Sequence, residues 1–172
     1  MIAAVGHADL TPDTWKLVRG ELRERLQGLP PDTTGLVRTG AGVPAVFGRL
    51  MHEAGRRLVV LLPERPEVLA DAPPRDREAH RELLALAEGI RMLPFDPLDR
   101  DACVSADEQL VGGCAGLLAV WDGSPSSGRD ATAHMVAYAR ARGIPVEVVW
   151  PPGAAREQVG VVSSLCVRGP GR

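Results

Sequence analysis

The segment Leu117–Trp150, LLAVWDGSPSSGRDATAHMVAYARARGIPVEVVW, constrains the fold most tightly. It reads as strand, polar glycine-rich loop, helix and strand. Leu117–Trp121 is apolar at every position, as expected of a parallel strand covered on both faces. Asp122-Gly123 ends the run, and Asp130 is placed to cap a helix reaching Gly143. A strand that hands over to a helix N-terminus is where α/β proteins hold anionic ligands. The loop is therefore the first candidate site.

The rest of the chain repeats the alternation. Apolar runs predict strands at Ile2–Val5, Gly35–Arg38, Leu58–Leu62, Ile90–Leu93 and Ile144–Trp150. Thr11-Pro12-Asp13 opens a helix whose apolar face is Trp15, Val18, Leu22, Leu26 and Leu29. A second helix starts near Pro44, carries Val43, Val46, Phe47, Leu50, Met51 and Ala54, and ends at Gly55. A third covers Asp76–Glu88, its acids Asp76, Glu78 and Glu82 facing solvent. Ser105-Ala106-Asp107-Glu108 reads as a capping box opening a fourth. Residues 63–75 hold four prolines and read as a binding loop, a lid or a plain surface excursion. The expectation is a single doubly wound α/β domain over residues 1–153, with about six mostly parallel strands and helices on both faces. Residues 154–172 form a tail, partly docked or disordered, in which Val161-Val162 and Leu165–Val167 are the pieces suited to dock on the domain or add a strand.

Charge and composition exclude several classes. The formal net charge is -2, Lys16 is the sole lysine, and aromatics make up 3%, so no basic, aromatic-interleaved stripe points to nucleic acid. No apolar run approaches the roughly 20 residues that cross a bilayer, and the start MIAAVGHADL has no leader pattern, so a cytoplasmic protein without membrane contact is expected. Cys103, Cys114 and Cys166 form no Cys-x-x-Cys pair. His52, His80 and His134 lack metal-site spacing, and no metal is expected.

Right-handed crossovers bring the loops 6–11, 39–44, 63–75, 95–105 and 122–130 to one rim. Gly6 admits close backbone approach, and His7 either bonds a phosphate or ribose or fixes the turn. Gly40-Ala41-Gly42 offers backbone N–H groups before a helix. Asp122 suits ribose hydroxyls. Gly123, Ser127, Gly128, Arg129, Asp130 and Thr132 form an anion cradle or, more plainly, a turn with a helix cap. No Walker loop, Gly-x-Ser-x-Gly elbow or nucleophile–base pair is present.

Together these residues resemble the SLOG superfamily, the Rossmann-like group of DNA-processing protein A and the Lonely Guy cytokinin-activating enzymes. Val5-Gly6-His7-Ala8-Asp9-Leu10-Thr11 is similar to its opening block. Gly40-Ala41-Gly42 with Leu58–Pro63 is similar to its second. Ala119–Gly123 with Ser127–Thr132 is similar to its third. The resemblance covers about residues 1–153 and is that of a small stand-alone bacterial member. It implies a nucleotide-derived ligand (a nucleoside phosphate, NAD or ADP-ribose type). Gly128–Thr132 would take the phosphate-loop place, with Gly6, His7, Gly40 and Gly42 lining the same pocket. Met135 stands where the Lonely Guy enzymes carry their glutamate, and Val43-Pro44 where Ala-Asp is usual. Both departures favour binding over turnover. The leading expectation is thus non-catalytic binding, with a bound nucleotide as the one candidate cofactor and a homodimer carried by analogy. The alternatives are a phosphoribohydrolase or ribosyl-transfer enzyme using Asp122, and a protein-interaction module with a degenerate pocket.

Overall fold

The structure, a computed structural model, describes residues 1–126 and 130–157. The strands are β1 (Ile2–Gly6), β2 (Gly35–Arg38), β3 (Leu58–Pro63), β4 (Gly89–Leu93), β5 (Gly116–Val120) and β6 (Val146–Val148). The helices are α1 (Pro12–Gln27), α2 (Val43–Glu53), α3 (Pro74–Leu86), α4 (Arg100–Gly112) and α5 (Thr132–Ala141). All strand pairs are parallel, in the order β4-β3-β2-β1-β5-β6. This is the doubly wound, Rossmann-like architecture expected from the alternating pattern.

Strand alternation divides the core into two layers. Ala4, Val37, Val60, Leu62, Leu118 and Val120 pack with Val18, Leu22 and Leu26 of α1, Phe47 and Met51 of α2 and Leu83 of α3. Ala3, Leu36, Leu61 and Leu117 face the other way, onto Leu110 and Val111 of α4 and Ala139 of α5. The chain winds outward from β1 to β4, then crosses back through α4 to place β5 beside β1. The order therefore reverses between β1 and β5, and a crevice opens there at the carboxyl edge.

Local signals explain most boundaries. Thr11 caps α1, its hydroxyl accepting from Thr14 N at 3.3 Å. Gly55 ends α2 at φ 63°, a left-handed value suited to glycine. Three expectations are corrected. The fourth helix opens at Arg100, capped by Asp99, whose carboxylate accepts from Asp101 N at 2.9 Å; Ser105–Glu108 lies inside it. Residues 63–75 are not wholly irregular, because Pro66–Asp71 forms a 3-10 helix. α5 begins at Thr132 rather than directly after Asp130. The apolar tail pieces at 161–162 and 165–167 lie outside the described residues.

Candidate functional site

β1 and β5 end level with each other, Gly6 opposite Val120, so the chain leaves both strands at one point. The approach is close. A Cβ on Gly6 would lie 2.6 Å from Val120 Cβ and 2.7 Å from Val120 O. His7 follows, its N–H donating to Val120 O at 3.1 Å, and its side chain is 1% exposed.

The His7 ring lies between two carboxylates. Nδ1 is 2.5 Å from Asp130 Oδ2, and Nε2 is 2.8 Å from Asp122 Oδ1. Trp150 meets the ring edge-on at 5.9 Å. Asp122 also accepts from Ser124 N at 2.8 Å, and Asp130 from Thr132 N at 2.9 Å. Arg156 closes the group. Its guanidinium lies 3.2 Å from Asp130, 3.8 Å from Asp122 and 2.9 Å from Asp9. Residues 154–157 are held down by backbone as well. Leu10 and Arg156 form an antiparallel bridge, and Thr14 Oγ1 contacts both Ala155 O (2.9 Å) and Ala155 N (2.8 Å).

The cluster shifts its own titrations. Burial opposes charge on His7, but hydrogen bonds to Asp130 and Asp122 outweigh it and raise the pKa above the ordinary 6.5. Burial likewise works against the Asp122 carboxylate, yet bonds from Ser124 and His7 hold it down to about 2. Asp130 is held well below the usual carboxylate range, burial again being overcome by His7 and Thr132. A carboxylate with a lowered folded pKa stabilises above its unfolded value and loses that contribution as pH falls through the folded one. Stability should therefore fall from about pH 4 toward pH 2, with Asp130→Asn flattening the decline; urea midpoints across that range check this.

Beside the cluster lies a cleft of about 500 Å³. Gly6, Gly40, Ala41, Asp130, Thr132 and Met135 line it. Arg38, Asp76, Arg100 and Asp107 supply further charge, and Leu69, Pro97 and Leu98 supply apolar wall. Arg38 is clamped by Asp107, with Nε–Oδ1 at 2.8 Å and Nη2–Oδ2 at 3.2 Å. Leu98 is 59% exposed at the mouth. Asp76 is not a solvent-facing acid as expected, because its Oδ1 accepts from Ala41 N at 3.1 Å.

The expected residues thus separate. Gly6, Gly40, Asp130 and Thr132 meet in the cleft. His7 and Asp122 lie in the buried cluster, with both ring nitrogens of His7 engaged, so His7 fixes the turn rather than presenting a free edge. Gly42 caps α2 at φ 82° and faces a second groove between α1, α2 and α3. Gly123 forms the turn after Asp122 at φ 87°. Ser127, Gly128 and Arg129 lie outside the described residues. Sequence reasoning missed Arg156, Asp9 and the Arg38–Asp107 pair; none has a local motif, since the two pairs lie 147 and 69 residues apart.

Other chemistry is sparse. Among the described residues no group of three or more His, Cys, Asp or Glu side chains is placed to hold a metal, and no helix is long and apolar enough to cross a membrane. Burial pushes the Cys103 thiol up, and that of Cys114 to about 11, so both are protonated at neutral pH.

Fold and cleft define a doubly wound α/β protein with a carboxyl-edge crevice at its switch point. The chain is similar in structure to DNA processing protein A from Streptococcus pneumoniae, at 15% identity and a TM-score of 0.36, over 85% of this chain and 57% of that one. This chain therefore spans little more than half the length of that protein, and the likeness is a distant one of fold. No protein-family model matches the sequence, and no curated protein matches it.

Proposed function

We propose that this protein binds a nucleotide-derived ligand, of the nucleoside phosphate, NAD or ADP-ribose type, in the cleft at the carboxyl edge of the sheet. The observation that carries this reading is the cleft's position. It opens where the strand order reverses between β1 and β5, the place where open α/β sheets hold ligands. The lining suits such a molecule. Asp76 and Asp130 offer acceptors for ribose hydroxyls, Arg100 offers charge for phosphate, with Arg38 held in the same lining by Asp107, and Leu98, Pro97 and Met135 offer an apolar wall for a base. Binding rather than turnover is favoured because Met135 has no acid–base chemistry and Asp122 is already bonded to His7 and Ser124.

A second reading, an interaction module with a degenerate pocket, is favoured by one observation. The N–H groups of Ala41 and Thr132, which a phosphate would use, already donate to Asp76 and Asp130. Thermal-shift measurements with AMP, NAD and ADP-ribose separate the two. A ligand at one hundred times its Kd stabilises by about 2.7 kcal/mol, which is about 5–10 °C for a chain of this size. The shift should be accompanied by amide NMR changes at Gly40, Ala41 and Thr132. No shift with any of the three at millimolar concentration supports the interaction module instead.

A further inference from the structure

We infer that the His7 imidazolium is a proton-dependent clasp, joining the turn after β1, the loop between β5 and α5, and residues 154–157. The geometry favours the charge. A neutral imidazole carries one N–H, yet each ring nitrogen faces a carboxylate, at 2.5 Å and 2.8 Å. A neutral ring would set one carboxylate against the lone pair of a side chain that is 1% exposed.

Charge balance points the same way. Among the described residues, the charged groups gathered around the ring are Asp122, Asp130, Arg156 and Asp9, with Trp150 packed edge-on. The two aspartates beside the ring both also lie near the Arg156 guanidinium, so His7 and Arg156 alternate with Asp122 and Asp130 around a closed ring. With His7 charged, two cations face three carboxylates. When His7 gives its proton to solvent, Arg156 alone faces the same three. The segments that these carboxylates hold then lose one of their two cationic anchors.

The consequences reach the cleft and the tail together. Asp130 belongs to both the clasp and the cleft wall. Asp9 and Arg156 pin residues 154–157, where Glu157 N donates to Asp9 O at 2.6 Å. His7 is a group whose folded pKa is raised, so its contribution is complete below the ordinary 6.5 and is lost as pH rises through the folded value. The clasp is therefore fully closed below the ordinary histidine value and loosens as pH rises through the raised folded one. This needs no ligand and stands whether or not nucleotides bind.

The competing arrangement is a neutral ring protonated at Nδ1, with Nε2 accepting from Asp122 N at 3.2 Å. Histidine ring 15N NMR on the full chain distinguishes them, with His7→Gln identifying the signals. The clasp predicts both His7 nitrogens protonated at about pH 6.5 and titration above the ordinary histidine range. Amide exchange at Ser124, Thr132 and Glu157, corrected for its intrinsic pH dependence, should then accelerate about tenfold or more across that titration. Should His7→Gln fail to fold, Asp130→Asn gives the assignment by lowering the His7 midpoint. An Nδ1-protonated neutral ring at about pH 6.5, or amide protection that stays constant through the His7 titration, overturns the inference.

Discussion

Gly6→Ala is expected to lose about 3 kcal/mol of folding stability, the upper end of the usual cost of over-packing. The new methyl would lie 2.6 Å from Val120 Cβ, 2.7 Å from Val120 O and 2.9 Å from Val43 Cγ2. Backbone and two β-branched side chains, all in the packed interior, cannot yield by that much without moving β1 away from β5. The damage would fall at the level where His7 and Asp122 leave the sheet. Gly20→Ala is the matched control. It lies within α1, nothing stands within 4 Å of its added Cβ, and it should gain about 0.5–1 kcal/mol from helix propensity. Urea denaturation of both variants reads the difference, and equal midpoints would remove the close-approach argument.

The second large effect belongs to Arg56. Its side chain is 8% exposed and runs to the end of α1, where it donates to Leu26 O (2.8 Å), Leu29 O (2.7 Å) and Pro30 O. Leu26 belongs to the last turn of the helix and Leu29 and Pro30 to the chain just beyond it, and a cation there also meets the negative end of the helix dipole. Arg56→Met keeps the apolar stem and abandons the carbonyls. The expected loss is about 2–4 kcal/mol, from charged hydrogen bonds lost at a largely buried side chain. Arg57→Met should stay within about 0.5 kcal/mol, because its ion pair with Glu88 is at 3.7 Å and exposed. Chemical denaturation midpoints at neutral pH decide it, and a loss no greater than that of Arg57→Met would contradict the capping role.

Much of the fold was legible because its signals are local. The β2 run Gly35–Arg38, the Thr11-Pro12 helix start and Gly55 each act within a few residues, and the structure places them as the sequence suggests. Ser105–Glu108 misled for the same reason. A capping box is a short pattern, and Asp99 had already supplied a cap upstream, so the same residues serve inside a helix. The site was less legible. Gly6, Gly40, Asp130 and Thr132 were found because sheet topology alone brings strand-to-helix loops to one rim. The roles of His7 and Asp76 were not, because side-chain direction decides them. Asp76 sits in the first turn of α3, which reads as a solvated helix face until the loop before α2 meets it. Arg156 lies in a stretch without periodicity, and only the folded chain brings it to Asp9.

The strand order has a consequence for the time course of folding. β1 is the first strand of the chain, yet one of its two neighbours is β5, with Ile2 paired to Gly116. During synthesis one edge of β1 must therefore wait for more than one hundred residues, at about 5–20 residues per second, before it is covered. β2, β3 and β4 can assemble on its other side in the meantime with α1, α2 and α3. The contacts around His7 close later still, since its partners Asp122 and Asp130 lie 115 and 123 residues downstream. A nascent chain would then pass through a state with a finished half-sheet and one bare central edge. The burial of His7 would mark the moment at which that edge is sealed.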